Sequence, residues 1–252
     1  MFKKIDEWQP VDDLILEDNA LEAVKLNNIN SLVVAGPGSG KTELLAQRAS
    51  FLLETNECQY PKKILAISFK RDAAKNLGER VKSRCGVQLS NRFVSKTYDS
   101  FAKNLLDHFR KAVPENYRPT SDYNIIFNSR DFEVFFRNVN ENILRSNKVN
   151  DLVEDMLKER LPINARNGFP IFFNNTWLMM TANARRSSLN FPMITRLAEY
   201  IINSNPLLKQ YLQATYSHVF LDEFQDTTFV QYDLVKSCFL DECGQFRTTL
   251  RY

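Results

Sequence analysis

The feature that most constrains the fold is a junction near the N-terminus, where the apolar run Ser31-Leu-Val-Val-Ala35 passes directly into Gly36-Pro-Gly-Ser-Gly40 and then into Lys41-Thr-Glu-Leu-Leu. A short apolar run of this kind predicts a buried strand. From Thr42 to Glu54 the residues Leu44, Leu45, Ala49, Leu52 and Leu53 recur at helical spacing, so the junction predicts strand, glycine turn and helix. The order then repeats. Ile64-Leu-Ala-Ile-Ser68 predicts a second buried strand, and Asp72 to Arg84 a helix with Ala73, Ala74, Leu77 and Val81 as its apolar stripe. A third short strand around Arg92 to Ser95 leads into Thr97-Tyr-Asp-Ser-Phe101, and Phe101, Leu105, Leu106 and Phe109 continue as a helix. Strands alternating with helices imply an α/β fold, a parallel sheet covered by helices on both faces.

From Lys111 to Gln213 no further strand of comparable clarity is visible, and stretches such as Asp131 to Leu144 and Asp151 to Leu161 carry helical spacing. Val219-Phe-Leu221 then returns as a strand, followed by a helical Thr228 to Leu240. An amphipathic stretch, Leu14 to Leu26, predicts a small helix before the first strand. The expected organisation is therefore residues 1–110 in the α/β domain, 111–213 as a mostly helical insertion, and 214–252 back in the α/β domain.

The segment Ala35-Gly-Pro-Gly-Ser-Gly-Lys-Thr42 has the glycines, lysine and hydroxyl of a phosphate loop, in the strand-to-helix context that such a loop requires. Glycines let successive N–H groups approach phosphate oxygens, and the following helix offers its unpaired donors and positive dipole end to the same anion. Ala35, Gly36, Pro37, Gly38, Ser39, Gly40, Lys41 and Thr42 are thus the candidate nucleotide-binding residues, with Lys41 on the β and γ phosphates and Thr42 on magnesium. The second constellation is Val219-Phe-Leu-Asp-Glu-Phe-Gln-Asp-Thr227, which delivers an acidic pair at a strand's C-terminal end. Open α/β sheets place their sites at that edge. Asp222 is the candidate second metal ligand and Glu223 the candidate general base, with Lys41 and Gln225 completing the catalytic set; ATP and Mg2+ are the expected cofactors.

Composition narrows the surroundings. No apolar run approaches the roughly 20 residues needed to span a bilayer, and the charged first thirteen residues do not form a signal peptide's apolar core, so a cytoplasmic protein with no membrane partner is expected. Cys58, Cys85, Cys238 and Cys243 show no CxxC spacing, which argues against both a zinc site and a disulfide framework. Between Pro61 and Lys111 there are thirteen Lys or Arg against four Asp or Glu, a local excess of nine positive charges in a chain whose total is +3. Charge gathered in this way suits a polyanion.

With DEFQDT following a GxGSGKT loop, the sequence resembles the UvrD/Rep branch of superfamily 1 helicases. Leu65-Ala-Ile-Ser-Phe69 with Ala73-Ala74 resembles that family's TFTNKAA segment, and Thr97-Tyr-Asp-Ser-Phe101 its TFHxF segment. The resemblance covers Leu14 to about Leu240. It implies a RecA-like first motor domain of the P-loop NTPase class with an inserted helical subdomain, and ATP-driven 3′ to 5′ movement along single-stranded DNA. Carried over by position, Phe69 stands where a family aromatic touches single-stranded DNA; Lys70, Arg71, Lys96, Thr97 and Tyr98 would flank the track. Stacking and phosphate contacts of this kind bind without sequence preference.

Three departures qualify the resemblance. Ala20 stands where the family has an adenine-reading glutamine, Asp99 replaces the histidine of TFHxF, and Asp241 to Tyr252 does not resemble the expected GDxxQ segment. The family closes its ATP site with arginines from a second RecA-like domain, so a chain ending here is expected to be weakly active alone and completed by a partner supplying that domain. The competing expectations are a catalytically silent ATP- and DNA-binding module or truncated remnant, and the helicase part of an ATP-dependent nuclease.

Overall fold

Ile64, Leu65, Ala66 and Ile67 are all fully buried, as a continuous apolar run must be when a strand is covered on both faces. They form the centre of a parallel four-stranded sheet of order β2-β1-β5-β6, with β1 at Lys63–Ser68, β2 at Phe93–Thr97, β5 at Tyr216–Leu221 and β6 at Thr249–Arg251. Strands β3 (Asn124–Ile125) and β4 (Ser188–Leu189) make a separate parallel pair. This computed structural model describes residues 2–11, 14–26, 30–34, 36, 38–164, 168–240 and 249–251. Its helices are α1 (Asp18–Lys25), α2 (Lys41–Glu54), α3 (Arg71–Ser90), α4 (Tyr98–Phe109), α5 (Phe132–Ser146), α6 (Val149–Lys158), α7 (Gly168–Met180), α8 (Phe191–Asn203), α9 (Pro206–Thr215) and α10 (Phe229–Phe239).

Two compact units divide the chain, one comprising Met1–Tyr98, Leu207–Thr227 and Cys238–Tyr252, the other Asp99–Pro206 and Thr228–Ser237. In the first, β1 pairs with β2 from Ile64↔Phe93 to Ser68↔Thr97 and with β5 from Ile64↔His218 to Ile67↔Leu221. Parallel pairing in this register brings the C-terminal ends of all three strands to one edge. Helix α2 is buried from Leu45 through Leu53, including Gln47 and Arg48. It packs with Ile64, Ala66, Leu77, Val81, Phe93 and Phe220 in the core. Helix α3 has different boundaries from those the spacing predicts. It runs on to Ser90 past an interruption at Gly86, whose φ of +71° a glycine adopts without strain.

Two features of this unit are not what the sequence predicts. The charged N-terminal arm is anchored: Trp8 is fully buried, meets Phe51 edge-on with ring centroids 5.3 Å apart, and donates from Nε1 to the Glu54 carboxylate at 2.8 Å. Gln47 fastens the same arm further along, accepting from the Val11 amide at 3.0 Å and donating to the Val11 carbonyl at 3.1 Å. Second, the described part of the Ser31 to Ala35 run, Ser31 to Val34, does not join the four-stranded sheet. Ser31 makes a single bridge, while Leu32 and Val34 are 65% and 85% exposed; Ala35 lies outside the described residues. A strand is held by its ladder partners, and at β5 the position beside His218, Val219 and Phe220 is taken by β6.

The second unit is helical apart from β3 and β4. Its core includes Phe132, Phe136, Phe172, Phe173 and Trp177, with Phe136 and Phe172 rings 5.2 Å apart. Helix α8 starts where its sequence says it should: the Asn190 side chain accepts from the Met193 amide at 2.9 Å, and Pro192 occupies the first turn. Arg196, 2% exposed, is held by Glu199 at 2.5 Å, Asp233 at 2.9 Å and the Leu157 carbonyl at 2.8 Å, so the buried charge is matched on three sides.

Candidate functional site

Helix α2 begins on a glycine that is already turned the wrong way for any other residue. Gly40 has φ +81° and Gly38 φ +76°, the left-handed region, and this reversal lets the loop deliver the chain to Lys41. The loop is pinned across its neck. Ser39 donates from its hydroxyl to the Gly36 carbonyl at 2.7 Å, and Lys41 Nζ donates to the same carbonyl at 3.1 Å. Thr42 follows in the first turn, half-buried. Ala35 and Pro37 lie outside the described residues.

On α2 the residues Lys41, Leu44, Leu45 and Arg48 share one face, at the i, i+3, i+4, i+7 spacing of a helical stripe. That face lines a pocket of about 570 Å³, whose other walls are Ala23 of α1, Leu32 to Val34, Leu221 at the end of β5 and Asp222 to Gln225 after it. The pocket therefore brings together Lys41 with Asp222, Glu223 and Gln225, four residues separated by some 180 positions in sequence. Leu44, Leu45, Arg48 and Ala23 were not singled out as site residues; the helical stripe running from Lys41 is the signal that finds the first three.

The acidic pair sits where the sheet register puts it. The Asp222 amide donates to the Ile67 carbonyl at 2.9 Å, which extends the β1–β5 ladder by one step and fixes Asp222 at the sheet's C-terminal edge. Asp222 is 4% exposed. Burial pushes its carboxyl above the ordinary range, the neighbouring Glu223 charge adds to this, and Ser68, the Glu223 amide and Lys41 pull the other way. Glu223 has φ +53° and ψ +47°, an unusual conformation for a side chain of its size and one that costs on the order of 1 kcal/mol or more. Gln225 donates from Nε2 to the Glu223 carboxylate, holding it from within the Phe224–Asp226 turn.

The residues expected to meet DNA fall into two groups. Phe69, at the end of β1, is 47% exposed, and Lys70 and Arg71 beside it are exposed as well. Lys96 is half-buried, and desolvation lowers its ammonium pKa. Thr97 and Tyr98, expected to flank the same track, are instead 8% and 2% exposed, and the Tyr98 hydroxyl pairs with Thr227 Oγ1 at 3.0 Å. A ring so enclosed presents no face for a base to stack on. Tyr98 ties the end of β2 to the turn that follows Glu223.

A glycine loop at the start of a helix, set across a pocket from an acidic strand end in a parallel sheet, marks this unit as an α/β domain with its pocket at the sheet's C-terminal edge. A family model for the UvrD/REP helicase N-terminal domain matches residues 16–244, and the chain belongs to that family. It is 28% identical over 232 residues to the ATP-dependent DNA helicase PcrA of Staphylococcus aureus, covering 85% of this chain and 30% of that protein. The ATP-dependent DNA helicase Rep of Buchnera aphidicola is 24% identical over 233 residues, with coverages of 88% and 34%. A probable DNA helicase of Mycoplasma pneumoniae is 28% identical over 229 residues, with coverages of 85% and 42%. The chain thus spans less than half the length of each of these relatives. Among the described residues no helix is long and apolar enough to cross a membrane.

Proposed function

We propose that this chain is the ATP-binding part of a DNA helicase motor, a RecA-like domain with a helical insertion at residues 111–213, which acts in 3′ to 5′ translocation on single-stranded DNA. One observation carries the proposal: the pocket that joins Lys41, at the N-terminus of α2, to Asp222 and Glu223, at the end of β5. The names of the relatives support it, since PcrA and Rep are ATP-dependent DNA helicases.

In this reading Gly36 to Thr42 cradle the phosphates, with Lys41 on the β and γ oxygens. The donor set suits magnesium, which takes one or two protein oxygens together with substrate phosphates. Asp222 is a buried carboxylate whose charge burial disfavours, and a cation would relieve it. Asp222 and the Thr42 hydroxyl would hold the ion, which supplies neutralisation of phosphate charge. Glu223, steered by Gln225, accepts a proton from the attacking water. Phe69, Lys70, Arg71 and Lys96 offer single-stranded DNA one aromatic face and three cations, and a partner or a further part of the protein supplies the second motor domain.

Calorimetry with Mg-ATP tests the reading. Lys41→Ala should bind Mg-ATP much more weakly than the parent while melting near the same temperature, because Lys41 sits in the first turn of α2, outside the buried core. Equal affinity in the two proteins would remove the phosphate-loop assignment.

A further inference from the structure

Glu43 presents a difficulty that the phosphate-site reading leaves unanswered. It is the second residue after Lys41, its Cβ lies 3.8 Å from where a side chain on Gly40 would begin, and a bare carboxylate there would repel a polyphosphate. Helix geometry turns Glu43 away from the Lys41 face, toward α3. There it accepts from Arg84 Nη2 on both oxygens, at 2.7 and 2.9 Å, and from Arg80 Nη1 at 2.6 Å. Gln47, one helical turn on, donates to the same carboxylate at 3.0 Å. Arg84 is 9% exposed and Glu43 19%, so solvent screens this pair far less than a surface bridge. Arg84 in turn donates from Nη1 to the Arg80 carbonyl at 3.1 Å, and Arg80 Nε is held by Asn76 at 2.6 Å, which sets both guanidinium groups in place.

We propose that Arg80 and Arg84 are positioning residues for the phosphate site: they mask the Glu43 charge and turn the first turn of α2 from a mixed field into a positive one. The inference rests on the phosphate-loop reading and adds two residues of α3 to it. One carboxylate against two guanidinium groups leaves a net positive charge beside the loop, in line with the helix dipole. Masking differs from simple bracing in one respect. If the arginines only brace α2 against α3, removing Glu43 as well cannot repair the loss of an arginine. If they mask a charge, it must.

The experiment is Mg-ATP calorimetry on the parent chain, Arg84→Gln, Arg80→Gln and the double variant Glu43→Gln/Arg84→Gln, with melting curves for each. Arg84→Gln should weaken binding on the order of tenfold or more, because the field beside the loop loses one whole positive charge while Arg80 alone is left to offset Glu43. Arg80→Gln, at a more exposed residue, should show the same direction with a smaller loss. The double variant should return to within about twofold of the parent, even where it melts lower. A double variant that binds as weakly as Arg84→Gln overturns the masking role, as does an Arg84→Gln protein of parental affinity. A parent chain that binds no Mg-ATP fells the phosphate-site reading, and this inference with it.

Discussion

Replacing Asp222 by asparagine should raise the stability of the free protein and at the same time remove most of its response to nucleotide. The carboxyl is 4% exposed, and burial together with the Glu223 charge lifts its pKa. A folded-state pKa above the unfolded value means that the folded protein binds the proton more tightly. Stability therefore rises as the pH falls through the folded pKa, and above it the full penalty of a buried carboxylate remains. At neutral pH a neutral isostere removes this penalty, and each 1 kcal/mol so recovered raises the melting temperature of a chain of this length by about 2–4 °C. In the parent, Mg-ATP at a hundred times its dissociation constant should add about 2.7 kcal/mol, a shift of roughly 5–10 °C. Asp222→Asn should lose most of this shift, since an amide is a poorer magnesium ligand than a carboxylate. Differential scanning fluorimetry with and without Mg-ATP, repeated between acidic and neutral pH, reads both effects. An asparagine variant that melts below the parent without nucleotide, or that keeps the full nucleotide shift, would refute the argument.

Three further outcomes follow from the same geometry. Phe69→Ala should lower affinity for an oligo-dT strand by about 1–3 kcal/mol while leaving the slope of affinity against salt unchanged, because stacking releases no counterions; an unchanged affinity would return Phe69 to a packing role. Trp8→Ala should cost about 3–5 kcal/mol, as expected for a fully buried indole that also loses its Glu54 bond, and chemical denaturation that shows a loss under 1 kcal/mol would mean that the arm is dispensable. Glu223→Gln should slow ATP hydrolysis with no loss of Mg-ATP affinity, and an equal fall in both would assign Glu223 to binding rather than to the chemical step.

What the sequence made legible was what local pattern can encode. The uninterrupted apolar run of β1, the stripes of α2 and α3, and the delivery of Asp222 by Val219 to Leu221 each depend on residues within one turn or one strand. They appear in the structure within a few positions of where spacing predicts them. Trp8 could not be found in this way. Its neighbours Lys4, Glu7 and Asp6 carry no period, and its burial comes from Phe51 and Glu54, more than forty residues away. Tyr98, placed beside the DNA track by the resemblance alone, is enclosed through its bond to Thr227, a partner 129 positions away that no local pattern reveals.

The Ser31 to Ala35 run shows how one segment can be legible in function and not in structure. Its five small and apolar residues deliver the glycine loop, and that much is local. Whether those residues are buried depends on a ladder partner, which no periodicity within the run can specify. With β6 beside β5, Leu32 and Val34 stay exposed, and together with Val33 they form one wall of the pocket instead of part of the sheet. The described part of the glycine loop nonetheless keeps its turn, because that comes from the left-handed Gly38 and Gly40 and from the helix that Gly40 caps. In the proposed phosphate-site reading the binding groups therefore come from the turn and the helix after it, and the run before them serves only as a wall of the pocket behind Lys41.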